Sequence, residues 1–527
     1  MKKALLINSL ILTATSLLFN TVGISFRVFV SNKIGAEGMG LFQLVISIYM
    51  MAAIFVASGI NIAVTRLIAE EGGRRSHSVS KALLKRAFAV SFLFSIPALL
   101  TLFLGADYIG TEWLDDKRTV LSLKILALDL PFIGISACIK GYFYAVSKVL
   151  RPAASQAFEL VVQIVVTIKI LDYFMAMGLE YACAAIVLGA MLSELASCSF
   201  ISILYQFEIY KGDRILPKVF YQKRILNKIL CISLPISVSS LLRSGLKALE
   251  NIMIPMGFEK YGYSKKLSLE AYGKIQGMVM PILFFPASIL IAFSTLLIPE
   301  VSEANALNHK KRVRYSVSRS LQLTFIMSIL ITGIFLLFSD KLGFAIYDNS
   351  EIGIMLKTLA LLIPFMYIDI VVDALLKGLN QQVSALKYNM IEAVFRIVLI
   401  YYLVPKKGVM GFIFVLYTSN FLNTALSIRK LLKITKIKLK VVDWVLKPVL
   451  SIAASGFVVI FLSSKIDLGC FSAGIYLTIG ILLICILYAY FLIQLGCLTK
   501  DDRKWFKSIF QYQKEVPVNS GLINKDI

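Results

Sequence analysis

Histidine is almost missing from this 527-residue chain: there are two, His77 and His309, both in predicted loops. A histidine acid, base or metal cluster inside an apolar segment is thereby excluded. Charge is scarce at 16% of residues, and acidic groups are the scarcer sign, 31 against 55 Lys and Arg. The P-loop signature does not occur, so ATP hydrolysis by the chain is not expected. Seven cysteines form neither a CxxC pair nor a disulfide framework; Cys138, Cys183, Cys198, Cys231 and Cys485 lie inside apolar runs, and Cys470 and Cys497 at their ends.

What is present is apolar surface. With 58% hydrophobic residues and a mean hydropathy of +0.80, the chain has too little polar area for a soluble fold of its length. An integral membrane protein is the reading, all-α because a spanning helix satisfies its own backbone. The net charge of +24 is spread in short clusters between apolar runs rather than gathered on one soluble domain, so nucleic acid is not an expected partner. Met1-Lys2-Lys3 and the run after it could pass for a secretory signal, but the run is long, contains Arg27 and lacks a small-residue cleavage site. It reads as the first span.

Apolar runs of membrane length predict about fourteen spans, near 5–31, 41–70, 82–106, 119–146, 152–171, 180–206, 228–257, 273–298, 317–339, 354–378, 387–404, 409–432, 446–464 and 471–496. Basic residues collect on alternate loops, among them Arg74 and Arg75, Lys148 and Arg151, Lys310 to Arg312, and Arg429 to Lys433. Acidic Asp107, Glu112, Asp115 and Asp116, and Asp340, Asp348 and Glu351, lie on the other side, with Lys260, Lys265, Lys266, Lys406 and Lys407 as exceptions. The alternation predicts both termini in the cytoplasm.

A thirteen-residue block, Leu123 to Ile135, recurs 233 positions later as Leu356 to Ile368 with eight identities. The same offset pairs Glu37 with Glu270, Gly40 with Gly273, Gln43 with Gln276 and Glu159 with Glu392. Six spans separate equivalent points, so the halves share one orientation and form a parallel repeat. The expected organisation is an N-lobe of residues 1–206, a basic linker 207–227, a C-lobe 228–432, two extra C-terminal spans within 433–496 and a tail 497–527. Pro131 and Pro364 stand at matching points of spans four and ten, which should bend alike.

Ionisable groups inside a span cost at least about 2.5–3.5 kcal/mol each, so they usually face a cavity or a partner. Arg243, Lys247 and Glu250 share one face of span seven. Glu250 could neutralise Lys247, which leaves Arg243 without a partner within the helix. Arg27 in span one and Arg66 near the inner end of span two either face the interior or snorkel to headgroups. Glu159 and Glu392 are repeat-related; Glu392 has Arg396 four residues on, whereas Glu159 has Gln163. Asp129, Glu194 and Asp369 are candidates for ion or proton coupling. The sequence calls for neither a metal nor a cofactor.

The first connection, Lys33-Ile34-Gly35-Ala36-Glu37-Gly38-Met39-Gly40-Leu41-Phe42-Gln43-Leu44, the segment Lys377-Gly378-Leu379-Asn380-Gln381-Gln382 and the duplicated fourteen-span layout resemble the stage V sporulation protein B-like polysaccharide-transport family of the multidrug/oligosaccharidyl-lipid/polysaccharide exporter superfamily. The resemblance implies two six-helix lobes around a central cavity that opens alternately to either side, and a non-enzymatic flippase of an undecaprenyl-pyrophosphate-linked cell-wall unit, for the spore cortex, acting as a monomer in the bacterial cell membrane. Membrane lipids and wall-synthesis enzymes are the other partners it implies. In related lipid II flippases, arginines of spans one, two and eight meet the pyrophosphate. Arg27 and Arg66 match the first two by position, but span eight here has no Arg or Lys between Gly277 and Ile298. Arg243 and Lys247 are the substitutes on span seven, which makes Arg27, Arg66, Arg243 and Lys247 the expected substrate-binding set, with Glu159, Glu194, Glu250 and Glu392 as coupling or structural charges. A cation-coupled drug exporter, which would favour an acidic cavity, and a non-transporting scaffold for wall-synthesis enzymes are the alternatives.

The topology predicts that cysteines placed at Glu112 and Ser350 react with an impermeant thiol reagent added outside intact cells, while cysteines at Ser78 and Asn308 do not. Reversed labelling would invert both lobes.

Overall fold

The computed structural model describes residues 2–70, 77–212, 225–437, 439–465 and 473–497. Residues 213–224 of the expected linker and nearly all of the expected tail lie outside them. Among the described residues the chain is helical, with no strand. Among the described residues, nine helices are long and apolar enough to cross a membrane, or eleven when each bent pair is one span. The fourteen expected spans are recovered where two of those helices are divided and one more is added. Lys2–Glu70 is a 69-residue helix that leaves helical φ/ψ only at Gly35; straight, it would run about 100 Å, more than three bilayer cores. Gly35, at φ 72°, separates spans one and two, and Gly408, at φ 55°, separates spans eleven and twelve within Gln382–Thr435. The fifth span is Leu150–Met175, less apolar because it carries Arg151, Glu159, Lys169 and Asp172.

The repeat is written into the turns. Asp115 and Asp348, 233 apart, adopt left-handed φ of 49° and 50°, and Ser147 and Asn380, also 233 apart, 58° and 59°. The next residues, Asp116 and Asn349, cap the following helices in the same way, their side chains accepting from the backbone N–H of Arg118 and Glu351. Spans four and ten break alike as expected. Lys117–Ala127 meets Leu130–Ala145 at 42°, and Ser350–Ala360 meets Ile363–Gly378 at 55°. In each, proline near the start of the second segment removes the N–H that would have bonded the carbonyl four residues back. In span ten that carbonyl, on Ala360, accepts from Thr332 Oγ1 at 3.4 Å.

We call the face that bears Gly35 and Gly408 distal and the opposite one proximal. Just below the distal face, spans two and eight cross with no side chain between them. A Cβ on Gly40 would stand 2.2 Å from the Leu269 carbonyl oxygen, and one on Gly273 would stand 1.9 Å from that of Ala36. Ala36 and Leu269 are themselves 233 apart, so the crossing repeats itself about the pseudo-two-fold axis. Nearer the proximal face, Gly59 of span two approaches the Ser233 carbonyl of span seven, where a Cβ would stand 2.2 Å away. At the distal face the halves are also tied by Lys265 with Asp115 at 3.2 Å and by Asn32 Nδ2 donating to the Ile346 carbonyl at 2.8 Å.

The two extra spans, Lys447–Lys465 and Ala473–Gln494, pack on span nine. Side chains such as Phe457, Ile486 and Met410 point outward, exposed, as a lipid-facing surface requires.

Since backbone must move to admit a methyl group at the crossing, Gly273→Ala should cost about 1–3 kcal/mol and lower the melting temperature of the detergent-solubilised protein. Gly474→Ala, which meets nothing within 4 Å, should not.

Candidate functional site

A cavity of about 660 Å³ lies between the halves on the proximal side of the crossing, lined by spans one, two, five, six, seven, eight, ten, eleven and twelve. Its volume suits a small ligand or the polar part of a larger one. Met39, Phe42, Gln43, Gln276 and Met280 come from the two crossing helices. Three cations reach it: Arg27, Lys247 and Arg396. No carboxylate lines it among the described residues.

Depth follows from helical rise. Arg27 lies eight residues before Gly35 and Arg396 twelve before Gly408, about 12 and 18 Å along their helices. Both are well inside a core about 30 Å thick.

The cations differ in what stands behind them. Arg27 makes no ion pair among the described residues. Lys247 Nζ donates to Glu250 Oε1 at 2.8 Å. Arg396 branches three ways: NH1 to the same Glu250 oxygen at 3.4 Å, NH2 to Glu392 one helical turn away, and Nε to Ser419 Oγ of span twelve at 2.9 Å. Glu250 is nearly sealed, with 5% of its side chain exposed, while Lys247 is half exposed. The carboxylates therefore sit behind the cations, which face the cavity.

Two of the four expected substrate-binding residues, Arg27 and Lys247, line the cavity; the other two are placed elsewhere. Arg66 is exposed and paired with Glu70 at 2.7 Å. It lies 26 residues beyond Gly40, about 39 Å along span two and so beyond the reach of Arg27. Arg243 is exposed, one turn proximal to Lys247, and is outside the lining. Glu250 and Glu392 hold the cavity cations from behind.

Glu159 and Glu194 lie in the interior of the N-lobe. Glu159 is 3.9 Å from Lys140 and accepts from Ser197 Oγ at 3.2 Å. Asp129 accepts from Tyr49 at 2.5 Å, and one oxygen each of Asp129 and Glu194 has no hydrogen-bond partner among the described residues. No group of three or more metal-ligating side chains occurs among the described residues.

Sequence reasoning missed Arg396 as a cavity residue, because its pairing with Glu392 accounted for it locally. It also missed the amides. Gln43 and Gln276 are repeat-related, as are Gln163 and Arg396, and all four line the cavity. The signal was that Arg396 occupies the position of Gln163 in the other half.

The cluster of Lys247, Glu250, Arg396 and Glu392 is neutral as a set and mostly buried. Removing Arg396 would leave both carboxylates short of a cation, so Arg396→Ala should destabilise the protein by about 3–5 kcal/mol. Adding Glu250→Gln and Glu392→Gln to it should restore most of the loss. Thermal unfolding in detergent measures both.

Comparison with known proteins places this geometry. The family described as "Polysaccharide biosynthesis protein" matches residues 5–256, and MatE matches 235–402. Stage V sporulation protein B of Bacillus subtilis (strain 168) is 25% identical over 505 residues, 95% of this chain and 97% of that protein. Lipid II flippase MurJ of the same organism is 22% identical over 438 residues, 76% of this chain and 77% of its own. Among solved structures, lipid II flippase MurJ in an inward closed conformation superposes with a TM-score of 0.67 at 14% identity, covering 95% of this chain and 99% of that one. An inward-facing multidrug resistance MATE family transporter of the MOP superfamily superposes with a TM-score of 0.59 at 13% identity, covering 81% and 100%.

Proposed function

We propose that this chain is a member of the stage V sporulation protein B-like polysaccharide-transport family of the multidrug/oligosaccharidyl-lipid/polysaccharide exporter superfamily, and an alternating-access flippase of an undecaprenyl-pyrophosphate-linked peptidoglycan or polysaccharide unit; its matches to the polysaccharide biosynthesis and MatE families and to stage V sporulation protein B support this. The observation that carries this is the sign of the cavity: three cations and several amides face it, and no carboxylate does. Such a lining fits a diphosphate bearing a sugar. It disfavours a cationic drug, which would meet Arg27, Lys247 and Arg396 without compensation.

The division of labour follows from chemistry. Arg27 and Arg396 offer planar donor forks to phosphate oxygens and Lys247 offers a point charge. Gln43, Gln276, Gln163 and Asn420 offer both donors and acceptors, as sugar hydroxyls and N-acetyl groups require. The prenyl chain stays in lipid. Two lobes that rock about the bound headgroup exchange access between faces, and direction comes from a bias such as precursor consumption or membrane potential. The resemblance to stage V sporulation protein B supports a role in the spore cortex, with the protein in the bacterial cell membrane, and the alternation of basic loops supports both termini in the cytoplasm.

In proteoliposomes, a fluorescent prenyl-diphosphate-linked saccharide should be translocated by the native protein. Arg27→Ala should slow this about tenfold or more, and Arg27→Lys should recover part of it because lysine keeps the charge but not the fork. Translocation of cationic dyes without movement of the saccharide lipid would reject the reading.

A further inference from the structure

Glu250 differs from every other buried carboxylate of the C-lobe in one respect. Both cations on it, Lys247 and Arg396, are cavity residues. Glu250 itself does not line the cavity. Any anion that draws those two cations toward itself must draw them from Glu250.

The link most easily lost is on the same carboxylate. Arg396 holds Glu250 through NH1 at 3.4 Å, a long contact, while its NH2 holds Glu392 at close range and its Nε holds Ser419. An anion can take NH1 and leave the other two donors in place. Glu392 then keeps its cation. Glu250 is left without a hydrogen bond from either cation and shares Arg396 with Glu392 and the anion, because Lys247, half exposed to the cavity, turns to the anion as well.

A buried carboxylate without a counter-cation of its own is too costly to stay ionised, and protonation removes the charge. The remaining groups around Glu250 do not prevent this. Among the described residues the titratable groups that face it are Lys247 on its own helix, Arg396 and Glu392 on span eleven, and Tyr272 on span eight, whose hydroxyl is buried and has no hydrogen-bond partner.

Resting on the anion-cavity reading above, the geometry points to Glu250 as a proton site that loads when an anionic headgroup enters the cavity: one proton is taken from solvent onto the Glu250 carboxyl for each headgroup bound. In the empty protein, two cations and two carboxylates cancel. In the loaded protein the diphosphate replaces Glu250 as the partner of Lys247 and of Arg396 NH1, and the proton neutralises Glu250. With Arg27 and the two negative charges of the diphosphate counted, the loaded cavity and its backing carboxylates are neutral when Glu250 carries the proton and hold one excess negative charge when it does not. Binding of the lipid-linked anion is thereby coupled to a proton.

Linkage gives the sign. Glu250 holds its proton more tightly in the loaded state, so affinity is greatest at low pH and falls as pH rises through the window between the empty-state and loaded-state ionisations, by about tenfold per pH unit for one proton. The probe is a short-chain prenyl-diphospho-N-acetylglucosamine, whose diester phosphates do not titrate near neutrality. Calorimetry of its binding to the full-length native protein, in two buffers of different ionisation enthalpy, should report uptake of about one proton per ligand. Glu250→Gln should bind it with no uptake and no pH dependence, while Glu392→Gln should still take up the proton. Binding by the native protein with no uptake would overturn the inference and leave the anion cavity standing, as would uptake that persists in Glu250→Gln. No binding of the probe at any pH would instead overturn the cavity reading on which it rests.

Discussion

The contact on which the two halves depend is the crossing of spans two and eight at Gly40 and Gly273. Backbone meets backbone there, and the position four residues earlier on each helix supplies the facing carbonyl, Ala36 for one and Leu269 for the other. Gln43 and Gln276 follow three residues later on both helices and point into the cavity. The same two helices thus close the distal side and furnish the start of the cavity wall. A pair of glycines related by the repeat is what lets one geometry serve both lobes, since any side chain at either position would separate them.

Below the crossing the governing constraint is the cost of charge in a low-dielectric core. The C-lobe meets it by placing Glu250 and Glu392 behind Lys247 and Arg396, so that the cavity presents positive charge to a ligand while the protein carries none in excess at that cluster. Arg27 stands apart from that arrangement and faces the cavity without an ion pair among the described residues. The N-lobe does something different with the corresponding positions. Glu159 has Gln163 where Glu392 has Arg396, and its neighbours are Lys140, Ser197, Glu194 and Asp129. Duplication has kept the scaffold and let the charges diverge.

That divergence explains why the repeat, so evident in the turns, is concealed in the site. Asp115 with Asp348 and Ser147 with Asn380 keep matching left-handed backbones because a tight turn between spans tolerates few conformations. The bends at Pro131 and Pro364 persist because a missing N–H acts wherever it falls. Cavity residues answer to a ligand instead, and a single substitution, Gln163 against Arg396, is enough to make the two walls unlike.

The amino-acid sequence by itself determined the membrane class, the fourteen spans, the parallel repeat and the two bent helices, because bilayer thickness, hydropathy and proline chemistry act on short stretches of chain. It also marked Arg27, Arg66, Arg243 and Lys247 alike, since a cation within a span is costly wherever it lies. Only the tertiary structure decided which charges share a cavity. Arg396 reads as a local partner of Glu392 until span eleven is set beside span seven, where Glu250 lies within its reach; Arg66 reads as a cavity residue until its depth along span two places it with Glu70. Ion pairs between helices join residues as far apart as Glu250 and Arg396, and no periodicity within one helix records which face of another it will meet.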